Sequence, residues 1–284
     1  MPHNITGLDH VLIGVADLEK AKDIYEKLGF TITPRGSHIG WGTANYCIMF
    51  GQDYIELLGI VHPDKESNGL DTLLAERGEG LLGMALASDD PVKTRSSLVE
   101  SNLNPGDLLD LKRKLELPEG DVIPEFKLIR LPTEGVSERS LFICHHLTPE
   151  LIRRPEWENH KNGTDYIKSI VILVEDPKSL KDYYTRLCGT LNVTLTDATL
   201  SVRVGRLTMI FVADSDLDLL FPGLTISGDW PDLPYIIAMT LATEDLGKTG
   251  SYLDEVGVRY QEVSNRSLRI SPDQTCGVLL EFTD

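Results

Sequence analysis

Glu56 stands in the run YIELLG, which starts at Tyr54 and is otherwise almost wholly apolar. A carboxylate buried alone in such a strand is expensive and needs a partner. The nearest chemical candidate is His10, in the strand-like run LDHVLIGV from Leu8, 46 positions upstream. An imidazole and a carboxylate that meet can pass a proton to and from a bound molecule. They can equally hold each other in a core, and the two residues alone leave both readings open. Three further groups carry polar or metal-binding side chains. The string HIGWGTAN supplies His38, Trp41, Thr43 and Asn45, the string CHH supplies Cys144 and His146, and PEWENHKNG supplies Trp157 and His160. Each also has a plain structural reading. Thr43 and Asn45 suit an ordered turn that bonds its own backbone, and Cys144 suits an inert buried thiol. His145 and His146 suit a turn ahead of Thr148-Pro149-Glu150, and Trp157 and His160 suit a packed connector.

Four copies of one pattern position these residues. Each is a short apolar strand, an Asp and an amphipathic helix, with the Asp at 17, 90, 176 and 245, so the steps are 73, 86 and 69 residues. A repeat of this size means one supersecondary unit copied four times. Asp at each junction suits a helix N-cap, and Pro91 and Pro177 follow two of them at the first helical position. Gly29, Gly189 and Gly257, with Asn102 in the second copy, suit left-handed C-caps. Short β-like runs follow each helix, so the unit is β-α-β-β-β. The fold class is therefore α+β, four βαβββ modules with curved mixed sheets. The expected division is a first pair over 5–148, a linker over 149–165 and a second pair over 166–284. A short helix, LDTLLAERG, is expected to end at Gly78. The charged stretch from Asn104 to Phe126 reads as a strand-and-loop excursion in the second copy.

Composition narrows the function classes. The 284 residues carry a formal charge of −17, which argues against nucleic acid because phosphate neutralisation needs a basic surface. No apolar run reaches the roughly 18 residues of a membrane span, and MPHNITGLDHVLIG lacks the make-up of a signal peptide. Cys47, Cys144, Cys188 and Cys276 show no CxxC spacing and are expected to be reduced thiols of a cytoplasmic protein. No Gly-rich phosphate loop, GxSxG elbow or HExxH is present, so a nucleotide cofactor is not expected.

The paired βαβββ units, with DHV opening the first strand and YIEL closing the first module, resemble the vicinal-oxygen-chelate superfamily, to which glyoxalase I and the extradiol dioxygenases belong. The strings HIGWGTAN, DYIELLG and PEWENHKNG resemble its glyoxalase-like domain subgroup. The resemblance covers nearly the whole chain in fold, and the first module pair and the linker in motifs. It implies a cleft inside each module pair, with a divalent ion (Zn, Ni, Mn or Fe) held by side chains of the first and last strands. Carried over, it makes His10 and Glu56 ligands or catalytic groups. Cys144 stands at the last-strand position of the second module, with His146 beside it as a further candidate ligand. Gly83, Ser169 and Ala238 stand where other ligands belong and hold none, and Glu281 alone keeps the carboxylate in the fourth copy. His38, Trp41, Thr43, Asn45, Trp157 and His160 become candidate substrate-binding residues, and Arg35 or Arg139 a carboxylate clamp. The implied function is binding of a small oxygenated metabolite in the N-terminal cleft, with metal-dependent lyase, isomerase or dioxygenase-like chemistry. The alternative is a metal-free protein that sequesters a small ligand on the same fold. A homodimer is expected from the frequency of such assemblies.

Overall fold

The structure, a computed structural model, describes residues 2–132, 134–136, 140–222, 231–263 and 266–284. The first two modules run β1 (Ile5–Val15), α1 (Leu18–Lys27), β2 (Gly36–His38), β3 (Thr43–Met49), β4 (Tyr54–Ile60), α2 (Leu70–Arg77), β5 (Gly80–Ser88), α3 (Pro91–Glu100), β6 (Leu108–Leu115), β7 (Glu125–Arg130) and β8 (Leu141–His146). The last two run β9 (Thr164–Leu173), α4 (Lys181–Cys188), β10 (Val193–Leu195), β11 (Thr199–Val204), β12 (Leu207–Val212), α5 (Leu217–Leu220), β13 (Tyr235–Thr243), α6 (Leu246–Glu255), β14 (Gln261–Val263), β15 (Ser267–Ile270) and β16 (Leu279–Thr283).

Local chemistry sets the helix ends. The carboxylates of Asp17, Asp90 and Asp245 accept from the backbone amides of Lys20, Lys93 and Lys248 at 3.0, 3.0 and 3.1 Å. Asp176 accepts from that of Lys178 at 2.9 Å. These bonds satisfy amides that the first helical turn leaves free. Gly29, Asn102, Gly189 and Gly257 all take positive φ after their helices, as the C-cap reading requires.

The eight strands of the first pair form a closed barrel in the order β1-β4-β3-β2-β6-β7-β8-β5. Within each module the first and last strands run parallel, β1 with β4 and β5 with β8. The modules join at two seams, β1 against β5 and the short β2 against β6, both antiparallel. The second eight strands form one sheet with β9 and β13 at its centre and β10 and β14 at its edges. The charged stretch of the second copy is thus no excursion. It holds β6, which closes the barrel.

Along β1 the side chains alternate between two environments, as barrel strands require. Val11 and Ile13 are fully buried in a core that also contains Ile170, Met209 and Leu241 of the second sheet. His10 and Leu12 face the barrel interior. Helix α1 lies between the two sheets, where the Tyr25 hydroxyl donates to the carbonyl of Thr275 at 3.1 Å. Among the described residues no helix is long and apolar enough to cross a membrane. All four cysteines are free and buried.

Candidate functional site in the barrel

The barrel encloses a cavity of about 700 Å³. Its walls are mostly apolar, with Leu12, Leu58, Leu82, Leu128 and Phe142, and α2 adds Leu70 and Leu73. Against this surface stand a few polar groups: His10 from β1, His38 from β2, Thr43 from β3, Glu56 from β4 and Arg113 from β6. An apolar hollow with few converging polar groups is the usual form of a small-molecule site.

Glu56 is the centre of the polar group. Its Oε1 accepts from Asn45 Nδ2 at 2.5 Å. His10 Nε2 stands 3.6 Å from Oε2, and His38 Nε2 stands 3.8 Å from Oε1. Both distances exceed hydrogen bonding, so the two imidazoles flank the carboxylate without bonding it. Burial pushes the Glu56 carboxyl up, but His10, His38, Arg113 and the Asn45 amide together hold it below the usual carboxylate range. It is therefore ionised at neutral pH. Burial holds the His38 imidazole below its ordinary value, with Glu56 opposing. Its Nδ1 bonds Thr43 Oγ1 at 2.9 Å, which fixes the ring.

Gly36 makes room for this arrangement. A methyl group there would lie 2.1 Å from Asn45 Oδ1 and 3.4 Å from Arg113 Cδ. Gly36→Ala is expected to push the Asn45 amide off Glu56 and to lower stability by about 1–3 kcal/mol. A thermal unfolding midpoint equal to that of the parent protein would refute the crowding.

Asp9 is one residue that sequence reasoning missed. It is 2% exposed. Its Oδ1 lies 2.6 Å from His10 Nδ1, and its Oδ2 lies 2.8 Å from His146 Nε2 and 3.7 Å from an Arg153 nitrogen. Neighbouring residues of a regular strand point to opposite faces, so Asp9 and His10 should not meet. They meet because β1 bulges there: Leu8 pairs with Leu86 and His10 with Ala85, leaving Asp9 unpaired between them. Burial raises the Asp9 carboxyl, but His146 and His10 more than reverse this and hold it far below its ordinary value. An ionised carboxylate only accepts hydrogen bonds, so His10 carries its proton on Nδ1. In the neutral ring the Nε2 lone pair then faces Glu56 and the cavity.

The remaining candidates divide. Trp41 and Thr43 line the cavity with His38. Trp157 and His160 do not. Trp157 packs in the cluster with Cys47, Tyr54 and Phe126. His160 receives the Thr31 amide at 3.1 Å and donates to the Met49 carbonyl at 2.9 Å, which stitches the connector to β3. Cys144 reaches the cavity wall, but its thiol lies against Asp9, and burial with that charge pushes its pKa well above normal. His146 is drawn to Asp9, away from Glu56. Arg35 is occupied by Glu116 at 3.2 Å, and Arg139 lies outside the described residues. The antiparallel registers put Ala85 across from His10 on the β1–β5 seam and Thr240 across from Ser169 between β9 and β13. Gly83, Ala85 and Ala238 carry no side-chain donor. Glu281, the lone carboxylate of the fourth copy, is bound by Arg269 at 2.9 and 3.1 Å.

Two donor sets emerge. Asp9, Cys144 and His146 offer atoms that all lie within 4.8 Å of one another. His10, His38 and Glu56 are less tightly gathered, but they face the cavity, and the Nε2 atoms of both rings have no nearer described partner. Two imidazoles and a carboxylate around open space fit a divalent ion of the Zn, Mn or Fe type. The Asp9 cluster stands behind His10 and does for it what outer carboxylates do for histidines at metal centres, fixing tautomer and ring orientation.

Two βαβββ pairs, the first closed around a polar cluster on β1, β2 and β4, define a protein of the vicinal-oxygen-chelate class. The chain belongs to the glyoxalase-like domain family, whose model matches residues 8–188. No curated protein matches its sequence. Solved structures share the fold. A hypothetical protein from Staphylococcus aureus superposes with a TM-score of 0.67 at 10% identity, over 97% of this chain and 98% of that one. A triple mutant of 4-hydroxymandelate synthase from Streptomyces coelicolor gives 0.61 at 13%, over 98% and 92%. A xylose isomerase-like TIM barrel/4-hydroxyphenylpyruvate dioxygenase fusion protein gives 0.54 at 13%, over 98% of this chain and 49% of the fusion. At these identities the likeness is one of fold.

Proposed function

We propose that the barrel cavity binds a small oxygenated metabolite and that Glu56 removes a proton next to its carbonyl. The observation that supports this most is an ionised carboxylate facing an otherwise apolar cavity between two imidazoles that do not bond it. Asn45 holds Oε1, so Oε2 is the atom free to take a proton. A carboxylate held below its usual pKa is a modest base. That limits the reaction to a hydrogen already acidified by a neighbouring carbonyl, as in isomerase or lyase chemistry through an enediolate. His10, held by Asp9, is the partner that returns the proton or steadies the charge. A divalent ion on His10, His38 and Glu56 would act as a Lewis acid on the substrate's oxygens.

Protein purified without chelators is expected to retain a near-stoichiometric divalent metal, lost in both His10→Ala and Glu56→Gln. Retention unchanged in both variants would remove the ion from this site. Proton NMR in deuterium oxide with a panel of 2-oxo and 2-hydroxy acids tests the chemistry. We expect C–H exchange on at least one bound compound, abolished by Glu56→Gln with binding kept. Exchange that survives Glu56→Gln, or a panel bound without any exchange, would overturn the proton-transfer reading. The second reading, a metal-free sequestering protein, is favoured by Gly83, which has no side chain to ligate with, and by the thiol of Cys144 lying against Asp9.

A further inference from the structure

Arg113 is 4% exposed and lines the cavity, opposite His38 across the β2–β6 seam. Its described contacts are poor ones for a guanidinium. Nη1 donates to Cys47 Sγ at 3.3 Å, and the group lies 5.5 Å over the Phe126 ring. Its Nε is buried with no hydrogen-bond partner. Among the described residues no carboxylate comes within ion-pair distance of it, Glu56 included. Burial pushes the Cys47 thiol up, so it stays protonated and serves only as a weak acceptor.

The second sheet shows a buried arginine in direct contact with a carboxylate in the same chain. Arg269 is 3% exposed and stacks 5.1 Å over Phe221, and it has a carboxylate, Glu281, at 2.9 Å. Arg113 has the same burial and the same aromatic platform with no carboxylate in ion-pair contact among the described residues. Buried guanidinium donors without a strong acceptor are unfavourable, and a ligand's carboxylate would supply that acceptor.

We propose that Arg113 is the anchor for a carboxylate of the ligand, so that the cavity takes a monoanionic organic acid with an apolar body. This deepens the reading of the cavity given above and rests on it for the site, not for the chemistry. The class follows from the walls. Leu111, Leu128, Phe142 and Trp41 suit a hydrocarbon or aromatic body. The planar guanidinium offers two parallel N–H donors that match the two oxygens of one carboxylate.

The test uses three compounds of one shape, phenylacetate, phenylacetamide and phenyl phosphate, titrated into the full chain at pH 8. The acid is expected to bind about tenfold or more tightly than the amide and the phosphate. Arg113→Met is expected to abolish that preference and leave amide binding unchanged, with Arg113→Lys keeping part of it. Equal binding of acid and amide, or a preference that survives Arg113→Met, overturns the anchor, as does no binding of the acid at about 10 mM. Acid binding that needs Arg113 but shows no C–H exchange would sink the proton-transfer reading and leave the anchor standing.

Discussion

Asp9→Asn is expected to destabilise the protein by about 3 kcal/mol or more at pH 7. Asp9 is a fully desolvated carboxylate shared by His10, His146 and Arg153. Asn keeps the shape and one acceptor oxygen, but it sets an amide N–H against one of the imidazoles and leaves that cluster without its negative charge. Breaking one partner out of a buried pair has this large an effect because the charges left behind stay desolvated. The sign with pH follows from the direction of the shift. The folded state holds the Asp9 carboxyl far below its unfolded value, so its stabilisation is complete above the unfolded pKa and fades as pH falls below about 4. The gap between parent and variant should therefore shrink in acid. Urea unfolding at pH 7 and pH 3 measures both. A loss at pH 7 below about 1 kcal/mol would show that the cluster is not the charged network described here. Nitrogen NMR of the histidines adds a local readout, since the proton of neutral His10 should sit on Nδ1 in the parent and lose that preference in the variant.

Asp53→Asn is expected to act in the opposite direction. Asp53 is 3% exposed at the end of the β3–β4 hairpin, and its Oδ1 accepts from the backbone amide of Ile167 in β9 at 3.2 Å, tying the barrel to the second sheet. Burial raises its carboxyl to about 7, against the Ile167 amide, Arg153 and Arg206, which lower it, and with Asp9 adding to the rise. A folded pKa above the unfolded one means that the native state holds its proton while the unfolded chain gives it up. Stability is therefore unaffected below about pH 4, falls as pH rises from about 4 to 7, and stays reduced above that. Asn keeps the acceptor for Ile167 and cannot ionise. At pH 8 the variant should be more stable than the parent by up to about 4 kcal/mol, with no difference at pH 4. Equal unfolding midpoints of the two proteins at pH 8 would refute the buried, proton-holding carboxyl.

Much of the architecture was legible in the residues because it rests on local chemistry. An Asp before each helix, a Gly or Asn after it and a strand of fixed length before the Asp recur four times, and each feature acts within a few residues of itself. Glu56 was legible for a different reason. A carboxylate in an apolar strand breaks the expected pattern, and such breaks concentrate at functional positions. His10 and Glu56 do converge, with Nε2 3.6 Å from Oε2, as the family resemblance implied.

Arg113 was hidden by its surroundings. In LDLKRKLEL the charges dominate and the segment reads as solvated. Yet Leu111, Arg113 and Leu115 fall on one face of a strand with Lys112 and Lys114 on the other, and this alternation was a usable signal. Lys112 and Lys114 do face outward, to Glu125 and to Glu116 and Asp121. Trp157 and His160 gave the converse error. Their residue types suit a binding site, but the connector carrying them packs outside the cavity.

The chain's own order of residues determined the four modules, their capped helices and the presence of an acid and an imidazole on the first module's first and last strands, because these follow from periodicity and from contacts short in sequence. Tertiary structure alone decided three things. The β2–β6 seam turned a curved sheet into a closed barrel, a one-residue bulge in β1 brought Asp9 behind His10, and the inward face of β6 delivered a guanidinium without a carboxylate. Each depends on strand register between segments far apart in the chain, where a shift of one residue reverses which side chains meet, and no local pattern of residues specifies that.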